Sequence, residues 1–387
     1  MIGKYHAAAA IAAATLLAAG CGGGGIGGTG QQAGTMRASI TDAPSCYQAV
    51  NVTVEKVRVH QSAGAAEGDA GWSEIVLTPP KRVDLVPLTN GVLEALGQTS
   101  LPTGKYTQLR LVLAENDNTT PMANAVTPLG GTETALDTPS GSQSGLKINV
   151  DIDVEADKVV DVVLDFDACK SVVQRGNGNQ YNLKPVLTAT ALLSDAGMRV
   201  VGYVDPAIGL PSTQVSVQAN GVPVKATMPD VTGRFELFPV PAGTYDLVVA
   251  ATSRVTAVMS NVPVTTTAPT TISTLAMPIV PAAATMRAVN GTVTPAPATV
   301  RARQTVAGTP VEVAWGNVNA TTGAFSFSLP IEAPVKTTYV ANPVSFTFVA
   351  DGAAAGQYTL EAVSGGVTKT QAITAQAVVP PVVFTFP

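Results

Sequence analysis

Residues 146–187 read LKINVDIDVEADKVVDVVLDFDACKSVVQRGNGNQYNLKPVL, and this stretch decides the fold. Ile148, Val150, Ile152 and Val154 fall on one side of an extended chain, with Asn149, Asp151, Asp153 and Glu155 on the other. Val162, Leu164 and Phe166 repeat the pattern against Asp161, Asp165 and Asp167. Alternation with period two is the mark of a half-buried β-strand, one face in a core and one in water. A hairpin turning at Ala156-Asp157 is expected between the two runs. The Gly/Asn-rich residues 176–179 make a second turn before a further strand at Tyr181.

Outward from that stretch the composition agrees. Charged residues are 13 % of the 387, while Gly (36) and Pro (28) are abundant, a mix that suits short strands and turns rather than helices. The expected class is all-β, a tandem of antiparallel β-sandwiches of immunoglobulin-like or transthyretin-like type. The length suits two or three domains. Net charge is −5 with no basic tract, which disfavours nucleic acid as a partner.

Residues 1–20 read as an export signal. Lys4 supplies the positive start, and residues 7–19 form an apolar run too short to span a bilayer as a helix. Leu17-Ala18-Ala19-Gly20-Cys21 resembles the bacterial lipobox, although the leucine stands one place early. The resemblance implies lipidation at Cys21; an ordinary signal with a free cysteine is the alternative. Residues 21–34 are Gly-rich and suit a flexible tether between a lipid and a folded domain. Gly22 after the cysteine, in place of Asp, implies the outer membrane of a Gram-negative bacterium, on its periplasmic or outer face. Cys46 and Cys169 are then left as a pair, and outside the cytoplasm they are expected to form a disulfide.

Residues 36–40 make a first strand, and Asp42-Ala43-Pro44-Ser45 a turn. Val50, Val52 and Val54 alternate, then the phase slips to Val57 and Val59, which predicts a β-bulge near Glu55-Lys56. Residues 92–96, stopped by Gly97, read as one or two helical turns. Residues 115–145 read as a long loop holding at most one weak strand. Gly-x-Tyr recurs at three strand entries: Gly104/Tyr106, Gly243/Tyr245 and Gly356/Tyr358. Glycine can take a positive φ in the turn, and the tyrosine hydroxyl two places on can reach a backbone carbonyl.

Taken in order, TDAPS, LPTGKYTQLRLVL, GLKI, VVLDFDACKSVV and YNLKPVL resemble bacterial lipoproteins with a DUF4382-type domain of unknown function, over about residues 34–194. The resemblance implies an exported β-rich domain and carries over no catalytic residue. The domain is bounded here at 35–194. Residues 198–280 resemble a carboxypeptidase regulatory-like module, a transthyretin-like sandwich, through Gly-Tyr-Val at 202–204, Thr232-Gly233-Arg234-Phe235 and Pro-Ala-Gly-Thr-Tyr at 241–245. A divergent copy at 286–387 carries Gly-Thr-Val at 291–293, Thr322-Gly323-Ala324-Phe325 and Gly356/Tyr358, with an insert near 330–344. Residues 198–280 are expected to fold alone, and the amino-terminal domain to fold without them.

Candidate chemistry is sparse. His60 is the one histidine beyond the signal, and no nucleophile or metal motif accompanies it. Asp151, Asp153, Asp161 and Asp165 would crowd carboxylates on paired strands, which requires solvation, neutralising lysines or a cation such as calcium. Solvation is the favoured account, and no other cofactor is implied. Trp315, beside Gly316 and Asn317, either stacks on a sugar ring or closes the core. The expected function is a non-enzymatic binding or structural module of the cell envelope, held to the membrane by lipid. Polysaccharide or another envelope protein is the partner, and carbohydrate binding is the alternative function. A metal-binding or hydrolytic protein is the third.

Overall fold

The computed structural model describes residues 32–387, apart from Ser45 and Asn177. Residues 1–20, read above as an export signal, and Cys21 lie outside the described residues. The chain is nearly all strand, folded as three sandwiches, each with its own buried cluster. The first strand, Ala33–Asp42, begins inside the segment read as tether.

In the first sandwich a four-stranded sheet runs Leu187–Leu192, Val159–Phe166, Ala33–Asp42, Glu94–Pro102. The larger sheet centres on Ala49–His60, Gly104–Leu113 and Leu146–Val154. Val50, Val52, Val54, Val57 and Val59 are all fully buried, and the register of their strand shifts between Val54 and Lys56. The bulge is what lets both halves keep their valines on the core side. Cys46 and Cys169 are bonded across a sequence separation of 123 residues.

Three expectations are corrected. Leu146–Val154 and Val159–Phe166 are not a hairpin: the former pairs with Gly104–Leu113, the latter with Ala33–Asp42 in the opposite sheet. The chain crosses from layer to layer at Ala156-Asp157, so that both apolar faces meet in one core. Residues 92–96 are not helical. Gly97, at φ +126°, sits at a register shift inside the strand Glu94–Pro102, with Leu96 buried. Residues 115–145 hold two short strands, Ala125–Thr127 and Thr134–Asp137, and a short helix, Pro139–Gln143.

The second and third sandwiches share one wiring. Val200–Tyr203 lies between antiparallel Arg234–Leu237 and parallel Thr270–Thr271. Met286–Thr294 lies likewise between Ala324–Pro330 and Val382–Thr385. The repeated glycines have a packing reason. A Cβ at Gly202 would stand 2.5 Å from the Phe235 ring, and one at Gly291 2.4 Å from the Phe325 ring. The phenylalanine of each Thr-Gly-x-Phe motif therefore lies over the glycine of its module's opening strand.

All three Gly-x-Tyr hydroxyls donate to a proline carbonyl: Tyr106 to Pro102 (3.0 Å), Tyr245 to Pro241 (2.9 Å) and Tyr358 to Pro330 (2.6 Å). Gly104 and Gly356 have positive φ; Gly243 is not among the residues that do.

The insert does not stay with the third sandwich. Val335–Thr338 adds in parallel to Ala257–Val264 of the second, and Val349–Ala350 pairs onto it in turn. Tyr339, Phe346 and Phe348 pack against the second core. The boundary at 286–387 therefore assigns to the third sandwich a strap that completes the second.

Candidate functional site

The chemistry-bearing side chains gather where the three sandwiches meet. Strand Val159–Phe166 supplies Asp165, on the face the alternation assigns to water. That face is covered: Val163 is 1 % exposed, and Lys225 of the second sandwich bonds Asp165 at 2.5 Å with its own side chain 2 % exposed. The short helix Ala168–Ser171 follows, its N-terminus capped by Asp167 accepting from the Lys170 N–H. Lys170 then reaches out, 3.4 Å from Asp167 and 3.6 Å from Glu312 of the third sandwich. Glu312 is held by Arg301 as well, and Arg301 and Arg303 both meet Glu361.

Uncharged bonds close the remaining seams. Gln218 donates to the Glu312 carbonyl (2.9 Å) and accepts from the Glu312 N–H (2.8 Å). Asn317 donates to the carbonyls of Lys170 (2.8 Å), Val172 (3.1 Å) and Cys169 (3.4 Å). Asn90 of the first sandwich bonds Thr227, Arg234 and Glu236 of the second. Val248 and Val258 meet Val306 and Val311 in a small apolar cluster between second and third.

Burial shifts the carboxyls here. Asp42 is fully buried, and loss of solvation pushes its carboxyl well above the usual range. The Ala168 N–H donates to Oδ1 (2.9 Å) and Lys225 opposes the rise, while Asp165 and Asp167 add to it; Oδ2 has no hydrogen-bond partner among the described residues. Desolvation raises Asp167 and Glu312 too. A carboxyl with a raised folded pKa leaves the native state binding more protons than the unfolded chain. Stability then falls as pH rises from the unfolded pKa through the folded one, and the cost is complete above the latter. Asp42→Asn keeps the acceptor for Ala168 and removes the ionisation. Its stability relative to the parent is expected to increase from about pH 4 to neutrality. Urea denaturation at a series of pH values checks this; a constant difference across the range contradicts it.

The other sequence candidates separate. Asp151 and Asp153 stand on strand Leu146–Val154, where Lys105 bonds Asp151 at 2.7 Å; Asp161 is in the opposite sheet and bonds Arg37 at 2.5 Å. The premise of a shared carboxylate site is corrected: the four do not converge, because the runs that carry them do not pair. Among the described residues no group of three or more His, Cys, Asp or Glu converges to hold a metal. His60 accepts from the Ser62 N–H through Nδ1 (2.8 Å) and meets the Ala70 carbonyl through Nε2 (3.0 Å), beside Trp72.

Trp315 is half-buried and stands at the rim of a cleft of about 720 Å³ between the first and third sandwiches. The Cys46–Cys169 bond, Tyr47 and Gln174 form one wall; Asn290, Asn317 and Ser326 belong to the other. The Lys170 ammonium lies 5.4 Å from the centre of the indole. Sequence reasoning singled out Trp315 and the cysteines, and Lys170 as one of the lysines that relieve the acidic face, but missed the roles of Asp42, Lys225, Glu312 and Asn317. Asp42 gave one signal: a carboxylate ending an apolar strand.

No curated protein matches the chain. Among solved structures, an interface mutant of a type II cohesin–X-dockerin complex from Acetivibrio cellulolyticus matches at 28 % identity over 23 % of this chain, with a TM-score of 0.20. The match spans 59 % of that chain's length. The Bacillus anthracis TIE protein matches at 12 % identity over 92 % of this chain and 51 % of its own, with a TM-score of 0.18. A streptococcal ancillary pilin does so at 9 % over 91 % and 98 %, with a TM-score of 0.17. Scores this low carry no functional argument. Residues 33–185, the first sandwich without its last strand, match the family described as Domain of unknown function (DUF4382).

Proposed function

We propose that the protein is an exported, lipid-anchored envelope protein that acts as a non-enzymatic binding and spacing module. The observation that carries this is the junction: Lys225–Asp165, Lys170–Glu312, Gln218–Glu312 and the Asn317 bonds tie each sandwich to the other two. Side chains buried and paired across every seam fix the angles between modules, as a rigid spacer requires. Asp42, Asp167 and Glu312, whose carboxyls burial raises, are absent from the lining of the 720 Å³ cleft. We read the second and third sandwiches as regulatory-like modules of the carboxypeptidase type, supported by their shared wiring.

The anchor rests on the sequence at Cys21. Among the described residues no helix is long and apolar enough to cross a membrane. Cys21→Ser is expected to move the protein from the membrane fraction to the soluble fraction, since the lipid is the hold that the reading supplies. Protein that still sediments with outer membrane after a high-salt wash contradicts the lipid anchor. Trp315 at the cleft favours a second reading, carbohydrate binding, developed next.

A further inference from the structure

Two clefts meet at Trp315. The larger lies between first and third sandwiches; a smaller one, of about 220 Å³, lies between second and third and includes Gln214, Thr252, Ser328 and Pro330 in its lining. The strand register joins them. Met286–Thr294 and Ala324–Pro330 are antiparallel partners, with Asn290 opposite Ser326 and Ala288 opposite Ser328. Asn290 and Ser326 line the larger cleft; Met286, Ser328 and Pro330 line the smaller. One outer sheet face therefore floors both, over a length of roughly 13 Å at the rise of a β-strand. Ala288, Asn290, Ser326 and Ser328 on that face are small and exposed, and Trp315 stands beside it.

We infer that this groove binds a neutral, linear oligosaccharide, a proposal that rests on the binding-module reading and names its ligand. Charge is the first ground. Among the described residues no acidic or basic residue lines the larger cleft, so an ionic ligand finds no counter-charge there; the smaller is lined by one charged residue, Arg254, whose guanidinium also donates to the carbonyls of Pro281 and Ala207. Chemistry is the second. A half-exposed indole offers an apolar surface to the C–H face of a sugar ring, while amides and hydroxyls beside it match the ring's hydroxyls. Asn290 and Ser326, exposed on the floor of the larger cleft, supply the amide and hydroxyl groups.

Rigidity is the third ground. The disulfide fixes one wall, and the Asn317 side-chain bonds fix the other against it. Lys170, held by Asp167 and Glu312, keeps its ammonium 5.4 Å from the centre of the Trp315 ring. A site ordered before binding loses little entropy when filled. An extended peptide fits less well. The floor is a sheet face, which presents side chains, and peptides dock chiefly on the backbone row of a sheet edge.

The test uses the intact protein with Trp72→Phe, which leaves Trp315 as its sole tryptophan. Trp315 emission is titrated with cellohexaose, xylohexaose, maltohexaose and chitin hexasaccharide. At least one is expected to shift it saturably. By calorimetry, Trp315→Ala in the otherwise unaltered protein should weaken binding of that sugar by about tenfold or more, as for a central aromatic anchor. Should Trp315→Ala disturb the seam, Ser326→Trp serves instead: its position is exposed, so it blocks the groove without touching a core. The proposal is overturned if none of the four binds at up to about 10 mM, or if Ser326→Trp binds as the parent does. Displacement of the emission by a peptide or a polyuronate alone overturns the neutral-sugar assignment and leaves the binding module standing.

Discussion

Replacing Lys225 with methionine is expected to cost about 3–5 kcal/mol of stability, out of a total that is a few times larger at most. Its side chain is 2 % exposed and its ammonium bonds Asp165, whose side chain is 14 % exposed. Methionine keeps the length of the side chain but leaves a carboxylate facing the seam with Asp42 and Asp167 nearby. The loss measures that stranded charge, so it exceeds what the ion pair itself contributes. Lys225→Met combined with Asp165→Leu is expected to recover most of it. Guanidinium denaturation of the parent, both singles and the double supplies the cycle. A single variant within about 1 kcal/mol of the parent, the ordinary worth of a surface ion pair, would show that the seam is open to water.

Residues 198–280 expressed alone are expected to lack a cooperative thermal transition. This reverses what the sequence implies, and the strap is the reason. Strand Ala257–Val264 loses its parallel partner Val335–Thr338, and the core loses Tyr339, Phe346 and Phe348. Three half-buried aromatics are worth about 3–5 kcal/mol in area removed from water, while a domain of this size has about 4–12 kcal/mol in all. Val248 and Val258 also lose their cover. Appending residues 331–351 through a flexible linker should restore a sharp transition. Melting followed by circular dichroism decides it. Equal midpoints with and without the strap would contradict the role assigned here.

What was legible in the sequence was what local periodicity encodes. The valines of Ala49–His60 gave both the strand and its bulge, because a half-buried strand cannot slip by one residue without turning its apolar side to water. Gly-x-Tyr and the repeated Gly and Phe positions declared their packing in the same way. The disulfide followed from the count of cysteines. Strand Val159–Phe166 shows where this stops. Alternating aspartates look the same whether they face water or another module. What decides the matter is Lys225, 60 residues away in the chain. The absence of a hairpin at Ala156-Asp157 was hidden for a related reason: two amphipathic strands satisfy one core equally well from one sheet or from two. Gly97 was read as a helix stop because glycine ends helices and marks bulges alike. The strap was hidden because its strand is four residues long. Trp315 was visible as a candidate, but the cleft beside it is made by residues of four other segments.

Buried bonds at the junction of three sandwiches are expected to make residues 32–387 unfold as one body. Differential scanning calorimetry of the intact protein tests it most directly. The account predicts one transition, with calorimetric and van't Hoff enthalpies in agreement and with Trp315 emission changing at the same midpoint. Two or three resolved transitions, or a Trp315 signal that melts ahead of the heat, would contradict it.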